Sequence, residues 1–187
     1  GFDTIYHEHR QYFSKESLSQ VLRSMGFEIL NIENIKYMAG SIRIFAKNTD
    51  KKMKKMKKMK KHYSHKKFNN FKNSIYKIKE KILDFIEQNK LKNIKIVGIG
   101  AATKGNTLLN YCKINDKDIK FIIDKSPYKI NKYTPGSGIK IIDEKKVKNI
   151  DAAIILPWNI SKYLYRKILK KKNIPFTSVF HITKNIK

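Results

Sequence analysis

The sequence predicts an α/β protein, with a parallel sheet flanked by helices over residues 92–187, a basic linker and helix over 51–91, and a helix–strand–strand remnant of an incomplete domain over 1–50. Three observations predict it. Past residue 92, short apolar runs alternate with amphipathic stretches. Those runs are continuous rather than alternating, as in strands buried on both faces. All four prolines, Pro127, Pro135, Pro157 and Pro175, fall between them, where they punctuate β–α units.

The elements follow in order. Ser14 is placed to cap a helix whose Leu18, Val21, Leu22 and Met25 share a face and which Gly26 ends. Phe27–Ile32 and Ser41–Ala46 read as strands joined by a turn around Ala39-Gly40. A helix and two strands cannot cover both faces of their sheet, so a preceding segment is expected to complete it. The chain also begins on Gly rather than Met, as a piece of something longer does. Residues 64–90 predict a helix with Ile75, Ile78, Ile82, Phe85 and Ile86 on one stripe. Then come strand Ile94–Ile99, helix Thr103–Tyr111, strand Ile119–Ile123, an extended piece Ile139–Ile142, strand Ala152–Leu156, helix Ile160–Lys171 and strand Thr177–His181.

The formal net charge of +27, from 42 Lys+Arg against 15 Asp+Glu, attracts anions. Only Arg10, Arg23, Arg43 and Arg166 are arginines, however, and specific nucleic-acid readers lean on the planar guanidinium. A Lys-, Ile- and Asn-rich composition also follows from an AT-rich genome, so neither a nucleic-acid nor a membrane partner is expected. The tract from Lys51 to Lys61, with Met53, Met56 and Met59 at every third place, is the one stretch that could serve a basic interaction protein. Its adjacent like charges repel, which favours a solvated linker or a helix start. Apolar residues at 41% support a packed core, and no apolar run reaches the roughly 18–20 residues of a membrane span. With Cys112 as the lone cysteine and no signal-peptide pattern, a cytoplasmic chain without internal disulfide or cysteine-rich zinc site is expected.

Two motifs carry chemistry. Gly98-Ile99-Gly100-Ala101-Ala102-Thr103-Lys104-Gly105 lies between a predicted strand and helix, where a glycine turn brings backbone N–H groups to a phosphate, and Asp124 follows where a dinucleotide fold places its ribose acid. Thr103 occupies the third-glycine position, and tight strand–helix packing explains the turn without a ligand. A nucleotide- or NAD(P)-binding module over 92–187 is therefore the alternative reading. At the N-terminus, Tyr6-His7-Glu8-His9 gathers a phenol, two imidazoles and a carboxylate. If extended, Tyr6 and Glu8 point one way and His7 and His9 the other; if the loop curls, a carboxylate beside an imidazole raises its basicity, as a general base requires. Proton chemistry leads, with metal binding by His7 and His9 and a purely structural cluster as the other readings.

The segments FDTIYHEH, YFS at 12–14, GSIR at 40–43, GIGAATKGNTLLNYC at 98–112, IDKSPYK at 123–129, PGSGIKI at 135–141 and ILPWN at 155–159, in this order, resemble the C-terminal part of the S-adenosylmethionine-dependent sugar C-methyltransferases, which act on nucleotide-linked keto sugars in deoxysugar biosynthesis. The resemblance implies a class I methyltransferase domain, ending in residues 1–50, and a C-terminal Rossmann-like domain that helps enclose the sugar nucleotide. It implies His9 as the base that removes a proton beside the sugar ketone, with Tyr6 and Glu8 orienting it, and an enolate that takes the methyl group. On the substrate side it implies Gly100, Lys104, Asn106 and Asp124, the Pro135-Gly136 turn, and Trp158 and Asn159, all at the carboxyl edge of the sheet. No residue here is implied as a cofactor or metal ligand. The S-adenosylmethionine site and a zinc site are expected outside the chain, which is accordingly expected to be inactive alone unless a separate polypeptide carries the donor domain.

Overall fold

The computed structural model describes residues 4–37, 40–49, 65–169, 174–179 and 181. The Lys51–Lys61 tract lies outside them. Two units divide the chain, one of residues 8–68 and one of residues 69–187 joined by 1–7.

In the smaller unit, α1 spans Lys15–Ser24 behind a capping box: Ser14 Oγ accepts from Ser17 N–H at 3.1 Å, and Ser17 Oγ accepts from Ser14 N–H at 2.8 Å. Leu18, Val21 and Leu22 are half-buried, but Met25, expected on their stripe, is 56% exposed. Met25 is the C-cap, where the helical period ends, and so leaves the stripe. Strands β1 (Phe27–Ile35) and β2 (Ser41–Asn48) pair antiparallel with a bulge between Ile29 and Asn31. The bulge turns Leu30 into solvent, and Phe45 is also exposed, so this two-stranded sheet leaves apolar side chains in water.

The larger unit holds α2 (His65–Leu91), β3 (Ile96–Ile99), α3 (Thr103–Cys112), β4 (Ile122–Asp124), β5 (Ile141–Asp143), β6 (Ala152–Ile155), α4 (Ser161–Leu164) and β7 (Phe176–Thr177). The sheet is parallel throughout, in the order β5-β4-β3-β6-β7. Alternate side chains feed two cores. Ile96, Ile122, Ala152 and Ile154 meet α2 and α3, whereas Val97, Ile99, Ile123 and Ile155 meet α4 and the segment after it. On α2, Ile78, Ile82 and Ile86 are buried at one turn's spacing, and burying such a side chain contributes about 1.5–3 kcal/mol. The amphipathic stripe is thus what holds this helix to the sheet.

Three expectations are corrected in this unit. The extended piece before residue 142 is a strand of the sheet, since Ile141, Ile142 and Asp143 pair with Ile122, Ile123 and Asp124. The helix expected from residue 160 is a short α4 followed by a π-helical turn, Tyr165–Leu169, while residues 170–173 lie outside the described set. Strand Thr177–His181 is instead only Phe176–Thr177, because Ser178 Oγ accepts from His181 N–H at 3.2 Å and the chain turns away from the ladder.

Candidate functional site

Strand order reverses at β3, whose connections run to β4 on one side and whose other neighbour is β6. Open parallel sheets bind ligands outside the carboxyl ends of the strands at such a point. A cleft of about 330 Å³ lies there, on the α4 face. Ile99, Gly100, Ile123, Asp124 and Pro157 form its floor, and Tyr163, Leu164, Lys167 and Ile168 form a wall from α4 and the π-helical turn. Lys125, Lys129 and Glu144 close the remaining side.

The glycine turn after β3 is built for close approach. Gly100 has φ of +82°, and a Cβ on it would lie 2.8 Å from the Pro157 ring. Gly105, inside α3, packs against Leu156, where a Cβ would collide with the leucine Cβ and lie 3.2 Å from its Cγ. Gly105 therefore does the helix-packing work that the sequence pattern assigns to a glycine at position 103. Asp124 ties the turn down: its Oδ2 accepts from Ala101 N–H at 2.7 Å and its Oδ1 from Ser126 N–H at 2.8 Å. Lys129 donates to Ala101 O at 2.7 Å, so the same turn is held from two sides.

The sequence-predicted site residues divide into groups. Gly100 and Asp124 line the cleft. Lys104 and Trp158 pair elsewhere, the ammonium 5.1 Å from the indole centroid, and Trp158 packs against the core on the α2–α3 side. Asn106 is half-buried one turn into α3, its Oδ1 buried without a hydrogen-bond partner among the described residues. Asn159 is exposed in the turn after β6. The Pro135-Gly136 turn is a correction: it precedes β5, and Pro135 O accepts from Asn110 Nδ2 at 3.0 Å in the last turn of α3. A segment leading into a parallel strand lies at its amino end, so this turn stands opposite the carboxyl edge at which it was expected.

In the N-terminal loop the chain turns at His7 and Glu8 rather than extending. His7, Glu8 and His9 are exposed and Tyr6 is half-buried. The His9 ring meets Tyr12 edge to face, centroids 6.1 Å apart. Among the described residues, no three His, Cys, Asp or Glu side chains group as metal ligands would, and no helix is long and apolar enough to cross a membrane.

Sequence reasoning missed Lys125, Lys129, Glu144, Tyr163 and Lys167. Two of these lysines stand in the IDKSPYK segment, but a lysine-rich chain gives them no local mark.

Comparison with known proteins bears on the whole arrangement. Residues 36–174 match the C-methyltransferase C-terminal domain family. The chain is 28% identical over 169 residues to the C-methyltransferase NovU of Streptomyces niveus, an alignment covering 84% of this chain and 40% of that protein. The chain thus spans well under half the length of that relative.

Proposed function

The chain belongs to the C-methyltransferase C-terminal domain family, and from that premise we propose that it is the C-terminal part of an S-adenosylmethionine-dependent enzyme that methylates the carbon beside the ketone of a nucleotide-linked sugar. The observation that carries this reading is the likeness to a C-methyltransferase over 84% of the chain, in a sequence that also presents an exposed imidazole–carboxylate–imidazole loop beside the half-buried Tyr6 phenol. Imidazole titrates near neutral pH, which suits removal of a proton from carbon beside a carbonyl, provided donors meet the developing oxyanion. In this reading His9 takes that proton, and Tyr6 and Glu8 orient the imidazole or the sugar.

S-adenosylmethionine supplies an electrophilic methyl group in such chemistry. At the glycine turn after β3 the acid that would meet a ribose, Asp124, already serves the backbone, Oδ2 accepting from Ala101 N–H and Oδ1 from Ser126 N–H. The donor is therefore assigned to residues other than this turn, and the 187-residue chain alone is expected to give no methyl transfer.

The test is His9→Gln in the full-length enzyme. Methyl transfer to a nucleotide-linked keto sugar, and exchange of the proton beside the ketone with deuterated solvent, should both fall by about 10²–10⁴ while sugar-nucleotide binding is kept. Retained exchange would place the base elsewhere, and turnover by the short chain would remove the need for a separate donor site.

A further inference from the structure

We propose that the amino-terminal part of α2 lies on an anionic lipid surface, with Phe68 and Phe71 entering the bilayer interface and Lys66, Lys67 and Lys72 meeting the headgroup phosphates. Every residue from 65 to 74 is exposed, whereas burial on this helix begins with half-buried Ile75 and is complete at Ile78. The apolar stripe nevertheless runs on unbroken, Phe68, Phe71, Ile75, Ile78 and Ile82 following one another in steps of three and four. Ile78 and Ile82 are covered by the core. Phe68 and Phe71, the first two members, remain 59% and 50% exposed.

The charge on this stretch is one-sided. Residues 65–79 carry Lys66, Lys67, Lys72, Lys77 and Lys79 and no acid, while residues 80–91 carry Glu80, Asp84 and Glu87. An AT-rich genome raises lysine everywhere but does not sort the acids of one helix to its far end. Cations in the first turn also oppose the helix dipole, whose amino end is positive, and a negative surface there removes that penalty. At about 100° per residue, Lys67 and Lys72 stand about 70° to either side of the midline between Phe68 and Phe71. An ammonium on each flank reaches phosphates while the rings sink below them. Ile75 continues the strip as an aliphatic side chain, which suits acyl chains better than stacked bases. Among the described residues no helix is long and apolar enough to cross a membrane, so α2 would lie on the surface rather than span it. The inference concerns where the chain sits and is independent of the methyl-transfer reading.

Cosedimentation of the 187-residue chain with vesicles tests it, equal parts phosphatidylglycerol and phosphatidylcholine being compared with phosphatidylcholine alone. The chain should bind the anionic vesicles, lose affinity as salt rises, and ignore the neutral ones. Phe68→Gln with Phe71→Gln keeps every charge, those of residues 51–61 included, and should weaken binding about tenfold or more. Phe68→Leu with Phe71→Leu should retain it. Lys67→Gln with Lys72→Gln should also cost about tenfold or more. Lys81→Gln with Lys132→Gln removes the same charge from exposed places elsewhere and should cost far less. All six positions are exposed, so the fold should hold, which matching far-UV circular dichroism checks. No binding by the parent chain would overturn the proposal. Equal loss in the two lysine pairs, or undiminished binding by the Phe68→Gln, Phe71→Gln variant, would reduce the contact to bulk charge and overturn it as well. A single-stranded oligonucleotide that displaces the vesicles and depends equally on both rings would assign the strip to nucleic acid instead.

Discussion

Replacing Asp124 with Asn asks whether this carboxylate is a structural tether or a group held ready for a ribose. Its two oxygens accept backbone N–H groups from different segments, Ala101 in the turn after β3 and Ser126 in the loop after β4, at 2.7 and 2.8 Å. Asparagine has one oxygen, so it can keep one of these bonds, and its amide hydrogens then face the other N–H. A hydrogen bond to a charged group contributes about 1.5–3 kcal/mol. Asp124 is only half-buried, so water can reach the abandoned N–H, and the lower half of that range applies. In a urea titration followed by far-UV circular dichroism, with a slope of about 2 kcal/mol per molar, the midpoint should fall by about 1 M with the slope unchanged. Asp124→Ala should fall further, having lost both acceptors. An Asp124→Asn variant that unfolds within about 0.5 kcal/mol of the parent would refute the tether, since surface changes without structural consequence stay inside that margin. The carboxylate would then be free for a ligand.

Two other outcomes follow from packing. Gly105→Ala gains about 1 kcal/mol of helix propensity, but its methyl meets Leu156, which is 1% exposed and cannot withdraw. Overpacking of that kind costs typically 1–3 kcal/mol, so the variant should melt below the parent, and one that melts above it would show that α3 does not sit this close to the end of β6. Burial pushes the Cys112 thiol up from 9.0 to about 11, against a smaller opposing pull from Lys79. The thiol should resist a disulfide reagent at pH 8 until urea unfolds the chain. Because its pKa is higher folded than unfolded, its contribution to stability is complete below pH 9 and declines as pH rises from 9 towards 11. Rapid labelling of the native protein would show the side chain to be exposed.

Legibility in the sequence followed the range of the interaction. The stripe Ile75, Ile78, Ile82, Ile86 on α2 and the Ser14 cap of α1 depend on residues three or four apart, and both stand in the structure where the pattern puts them. Strand β3 was legible for a related reason, since burial on both faces leaves an unbroken apolar run. The last strand was not. Its end depends on one hydroxyl, Ser178, competing with the ladder, and no period records that. The site was half legible. Gly100 and Asp124 were visible as a turn and a strand end, but Asp124 reads alike whether its oxygens face a ribose or the backbone of Ala101. Gly105 was visible in the glycine motif, but the pattern looks for its packing glycine two positions earlier.

Taken alone, the amino-acid order determined that this is an α/β chain of the C-methyltransferase C-terminal type, with most of its strands, its longer helices and a chemically dense N-terminal loop. The tertiary structure decided which strands are neighbours, that Pro135-Gly136 lies at the amino end, and that Lys125, Lys129 and Lys167 converge on one cleft. The reason is physical: side-chain period encodes only which face of a segment is buried, whereas strand order is set by crossover connections and core packing between residues far apart in the chain.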